Sequence, residues 1–143
     1  MQTFLPDKFY PYSARYLDNK RLGKQRVETL QILNTLSGRS KGWKYHPAVR
    51  MWKNFEQQLV IYGLVVCGEW ISRGFKDTCK QKIIEYKYLY FDFKTINCCP
   101  PWLGDERFHS SHRAALLKKN FEWYSQFNWK EEPVINYYWP VRK

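Results

Sequence analysis

The sequence predicts a mainly α fold: a single compact domain (1–143) of three to four helices, with an extended N-terminal arm and an aromatic C-terminal tail. Three observations lead there. Apolar residues recur at spacings of three and four over three long stretches. The prolines fall in the arm, one loop, the tail or the first position of a helix, where they do least harm to helical hydrogen bonding. A chain of 143 residues without linker, repeat or low-complexity segment suits one core.

Residues 1–12 read as an extended arm, because Pro6 and Pro11 oppose an early helix and Phe4, Phe9, Tyr10 and Tyr12 invite packing against something larger. A first helix then runs from near Ala14 or Asp18 to about Leu36. Its apolar stripe is Leu22, Val27, Leu30, Leu33 and Leu36, with Gly23 as a weak point and Ser37-Gly38 as the stop. Pro47 suits the first position of a second helix, which continues through Trp52, Leu59, Tyr62, Val66 and Trp70 to Gly74, roughly 40 Å in length. Its middle, Leu59 to Cys67, is apolar nearly all round and should be the spine of the domain, with Gly63 permitting a close neighbour. Cys79 to about Tyr88 suits a shorter helix, although Tyr86 to Phe93 alternates aromatic and charged residues as an extended segment would. Pro100 and Pro101 stiffen the loop that follows, and Glu106 to about Tyr124 forms a last helix. The tail from Asn128 should fold back over the surface rather than form a sheet.

Composition narrows the partner. Lys and Arg number 24 against 13 Asp and Glu, a formal charge of +11 spread through the chain, which points to a polyanion. Nucleic acid is the default, since neutralising phosphates releases condensed counterions. No 18-residue uncharged run supports a membrane partner. The start lacks a basic segment followed by a long apolar one, so the expected location is the cytoplasm or another DNA-containing intracellular compartment rather than outside the cell. Cys67, Cys79, Cys98 and Cys99 lack metal-ligand spacing and read as reduced thiols, and no cofactor or metal is expected.

Chemistry concentrates on the first helix. Arg21, Gln25 and Glu28 follow at i, i+4 and i+7, stacking a cation, an amide and a carboxylate on one face, either as a small active site or as an ordinary salt-bridged flank. Arg26 falls inside the apolar stripe and must find an anion or several carbonyls there. His109, His112 and Arg113 suit a phosphate clamp, plain capping or, with ligands from elsewhere, a metal pair. His46 precedes the Pro47 helix and suits an anion contact or a cap. The absence of a glycine-rich phosphate loop, G-x-S-x-G and H-E-x-x-H argues against nucleotide hydrolysis and zinc proteolysis.

Three blocks in order resemble the pyrimidine dimer DNA glycosylases of the phage endonuclease V type. They are the basic helix Leu17 to Glu28; the run His46-Pro47-Ala48-Val49 to Trp52 leading into Glu69-Trp70-Ile71-Ser72-Arg73-Gly74; and His112-Arg113-Ala114-Ala115-Leu116-Leu117-Lys118-Lys119, closing on Glu122-Trp123-Tyr124. The resemblance implies a small helical domain whose amino terminus threads between helices to the active centre. It also implies a metal-independent glycosylase and abasic-site lyase acting on damaged pyrimidines through an imino (Schiff base) intermediate. The α-amine would be the nucleophile; a glutamate on the first helix would be the acid or base. Here Met1 carries the amine, Lys24 is the alternative nucleophile, and Glu28 is the candidate acid, with Asp18 in reserve. An α-amine suits the task because its ordinary pKa of about 7.7–8.0 leaves more neutral amine at physiological pH than a lysine with about 10.4.

The matching positions further imply phosphate contacts from Arg21 and Arg26 and from Arg113 with Lys118, and a DNA contact from His46; Gln25 and His112 are further DNA-binding candidates, and since a base must leave the stack, Trp43, Trp102 or Trp139 is a candidate to fill the vacated space. The expected partner is double-stranded DNA carrying a damaged or modified base, bound by a monomer with no obligate protein partner. An alternative is a catalytically silent or retargeted nucleic-acid-binding domain of the same fold that reads a modified base. A metal-dependent nuclease using His109 and His112 is third.

Overall fold

The computed structural model describes residues 1–90 and 99–141, and it is mainly α. Helices α1 (Tyr10–Tyr16), α2 (Asn19–Leu36), α3 (Pro47–Arg50), α4 (Glu56–Ser72), α5 (Lys80–Tyr90), α6 (Glu106–Lys119) and α7 (Phe121–Tyr124) follow in order, with a 3-10 turn at Ser125–Phe127. Four are long, as the apolar periodicity predicts. The three short ones arise where an expected helix divides or, at α1, extends into the expected arm.

Each division has a side-chain cause. The first helix splits at Leu17 and Asp18, both extended, because the carbonyls that end α1 are taken by Arg73. Its guanidinium donates to Leu17 O at 2.8 Å, Ala14 O at 3.3 Å and Arg15 O at 3.2 Å, satisfying acceptors that a helix end otherwise leaves to water. The expected Pro47–Gly74 helix divides between α3 and α4. Trp52 is buried there, its indole donating to Thr3 Oγ1 at 3.0 Å, and Asn54 turns the chain at φ 73°, a conformation asparagine tolerates better than most residues. The last helix breaks at Asn120, whose Oδ1 accepts from Trp123 N–H and caps α7.

The apolar stripe expected on α2 holds at Leu22 and Leu33, which are buried, and at Leu30 and Leu36, half-buried against the core, and is corrected at Val27, which is 44% exposed; Gln25, Thr29 and Ile32 complete the buried face. Thr29 faces inward because Gly63 lies opposite. A Cβ on Gly63 would meet Thr29 Cγ2 at 2.6 Å, so α2 and the spine α4 approach as closely as backbone allows. Gly23, expected to weaken the helix, instead admits the Trp70 ring, 3.0 Å from where its own Cβ would stand.

Behind these contacts one continuous core joins Leu5 and Leu17 to Leu59, Tyr62, Phe108 and Leu116. Residues Tyr86–Tyr90, for which an extended segment was the other option, are helical; Phe91 to Phe93 and Cys98 lie outside the described residues. The tail folds back as expected. Trp129 stacks on Tyr124 (5.6 Å between ring centroids), Val134 N–H and Tyr138 N–H bond to α6, and Tyr137 reaches Phe4 at the arm.

Candidate active site

The arm enters the molecule outside any helix. Gln2 to Pro6 are buried, and the backbone of this stretch is satisfied by side chains instead of a neighbouring strand. Gln2 N–H donates to Glu28 Oε2 at 3.3 Å, Thr3 N–H to Gln2 Oε1 at 2.9 Å and Phe4 N–H to Gln25 Oε1 at 2.9 Å. Leu5 is held at both polar groups: its N–H donates to His112 Nδ1 at 2.9 Å and its carbonyl lies 2.7 Å from His109 Nδ1. Arg113 donates to Pro6 O at 2.8 Å. Helix α6 thus grips the arm from one side and α2 from the other.

Gln25 is the junction. Its amide nitrogen donates to Gln2 O at 2.9 Å and to Glu28 Oε2 at 3.1 Å, and Tyr62 adds a hydroxyl 2.8 Å from Gln25 Oε1 and from Phe4 O. Burial, with the Glu28 carboxylate next in effect, keeps that tyrosine protonated.

The arm ends in a cleft of about 380 Å³, a volume in the range of small-ligand sites. Met1 and Phe4 line it from the arm, Lys20, Arg21, Lys24 and Glu28 from α2, Lys119 from the end of α6 and Tyr137 from the tail. One carboxylate therefore sits among four cationic side chains, next to the first residue of the chain. Burial raises the Tyr137 hydroxyl to about 12, with Arg21 opposing and Glu28 adding to the shift. His46 is held below its ordinary value, first by burial and then by the positive charge of the N-terminal ammonium, as expected of an imidazole near that group.

Of the residues singled out in the sequence, Met1, Arg21, Lys24, Gln25 and Glu28 line one cleft. Gln25, expected to touch DNA, is 1% exposed and spends its amide on the arm and Glu28. Arg26 points elsewhere: it pairs with Asp77 at 2.7 Å and covers the Trp70 ring at 4.4 Å, so the anion its position demanded is internal. The expectation that His112 contacts DNA is corrected, since its ring is fully buried behind the arm, and burial lowers its pKa to about 3 and keeps it neutral. Arg113 is likewise committed, to Glu131 at 2.9 Å, to Glu106 and to Pro6 O. Lys118 is exposed, but its neighbour Lys119 is the one that lines the cleft.

Asp18, the reserve acid, is bound to Tyr124 and Arg21. His109 accepts Gly104 N–H on its second nitrogen, so the ring is spent on backbone; among the described residues no cluster of three metal-ligating side chains occurs. No described helix is long and apolar enough to cross a membrane. Lys20, Phe4, Lys119 and Tyr137 were missed in the sequence. Lys20 alone had a signal there, standing four residues before Lys24 on the same helical face.

Fold and site together define a class: a small, mainly helical, basic protein whose N-terminal segment is threaded between helices to a cation-lined cleft. The family model for pyrimidine dimer DNA glycosylases matches residues 1–83, and the chain belongs to that family. The match takes in the arm, α1 to α4 and the start of α5; Lys119, Tyr137 and the His109 to Arg113 grip lie beyond it. Searches of curated proteins and of solved structures return no match.

Proposed function

We propose that the protein is a DNA repair glycosylase with an associated abasic-site lyase, using the α-amine of Met1 as nucleophile and Glu28 as acid and base. The observation that carries this is the 3.3 Å hydrogen bond from Gln2 N–H to Glu28, which tethers the residue after the amine to the carboxylate in a basic cleft. The amine nitrogen attacks C1′ as the bond from C1′ to the pyrimidine breaks, and the base leaves with the bonding pair and gains a proton. Glu28 stabilises the positive character that develops at C1′. Glu28 takes a proton from the newly bonded amine and gives it to O4′ as the C1′–O4′ bond breaks, which opens the sugar and leaves an iminium between C1′ and the amine. Loss of a C2′ proton to the carboxylate expels the 3′ phosphate. Lys20, Arg21, Lys24 and Lys119 hold the flanking phosphates.

The test is borohydride trapping on DNA carrying an abasic site, followed by a panel with a cyclobutane dimer, oxidised pyrimidines and hypermodified thymines. The expected result is a covalent adduct at Met1 that E28Q loses by at least about a hundredfold in rate, in keeping with the removal of a general acid or base. An adduct at Lys24 would overturn the assignment of the nucleophile. Tight binding without adduct or cleavage on every DNA would leave a silent or retargeted binding domain.

A further inference from the structure

The loop between α2 and α3 presents Trp43 at 60% and Tyr45 at 79% exposure, interleaved with the exposed Lys41 and Lys44. With His46 these residues line a depression of about 660 Å³. Its geometry is unusual for a passive surface. Trp43 adopts φ 63°, a left-handed backbone that a bulky residue takes only at a cost, and the turn it makes leaves the indole projecting outward. Lys44 places its ammonium 5.6 Å from the Tyr45 ring centroid.

The loop is also continuous with the cleft. Trp43 meets His46 at 5.7 Å between ring centroids, His46 meets Trp139 at 5.7 Å, and Trp139 meets Tyr137, a wall of the cleft, at 5.6 Å. A strand whose sugar occupies the cleft would therefore have its neighbouring nucleotides led along a row of rings toward the loop. An intact duplex offers such a surface only phosphates and base edges, since the base faces are stacked on one another. Two projecting rings with Lys44 between them and Lys41 beside them match the flat faces and backbone charges of an unpaired strand.

We propose that the Lys41–His46 loop is a binding site for unpaired DNA flanking the reacting nucleotide, with Trp43 and Tyr45 stacking bases and Lys41 and Lys44 holding the intervening phosphates. The proposal rests on the cleft being the DNA site. It adds contacts that locally opened DNA can make and a fully paired duplex cannot.

The test is fluorescence anisotropy of the full chain with an oligonucleotide carrying a central tetrahydrofuran abasic analogue, presented as a single strand and as a fully paired duplex. W43A and Y45A are each expected to weaken single-strand binding about tenfold or more and duplex binding less than twofold, with W43F restoring most of the loss. Equal losses on the two forms, or none on the single strand, overturn the proposal. Should W43A fail to fold, Y45A carries the same comparison, since that ring stands almost free of the protein. The readout needs no chemistry: a selective single-strand loss without any borohydride adduct would support the loop and count against the lyase alone.

Discussion

Leu5 shows how much of this molecule is decided by single peptide groups. Its N–H and carbonyl are held by two histidines one turn apart on α6, His112 and His109, more than a hundred residues away in sequence. Both must be neutral to do so: His112 accepts through Nδ1, and His109 accepts Gly104 N–H while its Nδ1 faces a carbonyl. Burial lowers the pKa of both, His112 to about 3. A histidine depressed in the folded state binds its proton more readily when unfolded, so its contribution is fully present above the ordinary value of about 6.5 and is lost as pH falls toward the folded value. Urea unfolding midpoints should thus drop between pH 6.5 and 4.5, before most carboxylates titrate. H112N should flatten that slope, and an unchanged slope would refute the account. H112A leaves the Leu5 N–H buried and unpaired and should cost about 1–3 kcal/mol.

At the scale of elements, the contact of α2 with α4 depends on Gly63. G63A places a methyl 2.6 Å from Thr29 Cγ2 on two packed helices, and the expected loss is about 1–3 kcal/mol in chemical denaturation. T29S should recover part of it by removing the opposing methyl. This contact also explains what could be read beforehand. The existence of α2, α4 and α6 was legible because each carries a long apolar period, whereas the shorter α5 shared its residues from Tyr86 on with an extended alternative. The inward face of α2 was not, because leucine spacing led to Val27 while the interior chose Gln25 and Thr29, whose partners are an arm and a glycine distant in sequence. The same holds for the site. Arg21, Gln25 and Glu28 share a helical face and could be grouped from spacing alone. His109, His112 and Arg113 also share a helix, but spacing could not tell that they face a peptide strand instead of a phosphate. The divisions at Leu17 and Asn54 were hidden for a related reason, since Arg73 and Thr3 act on them from elsewhere in the chain.

For the whole molecule, a charge of +11 makes binding to DNA depend on salt, and the structure sorts which cations matter. Lys20, Lys24 and Lys119 line the cleft. Replacing any one with glutamine should reduce the slope of log affinity against log salt by about 0.9. Arg26 and Arg113 are committed internally, to Asp77 and to Glu131 with Pro6 O. R26Q and R113Q should leave that slope alone and instead lower the unfolding midpoint, R26Q by the equivalent of about 3 kcal/mol, because each strands a partly buried carboxylate. A slope change in R26Q would place this guanidinium on the nucleic acid after all.

The grip on the arm has a consequence for the order of events during synthesis. The imidazole that receives the Leu5 N–H is made 107 residues after Leu5 itself. The opening segment must therefore wait, unseated, until α6 emerges. A nascent chain halted before His109 should have the arm accessible to protease and the cleft unfinished, so the arm, although made before the helices that hold it, is among the last segments to reach its native place.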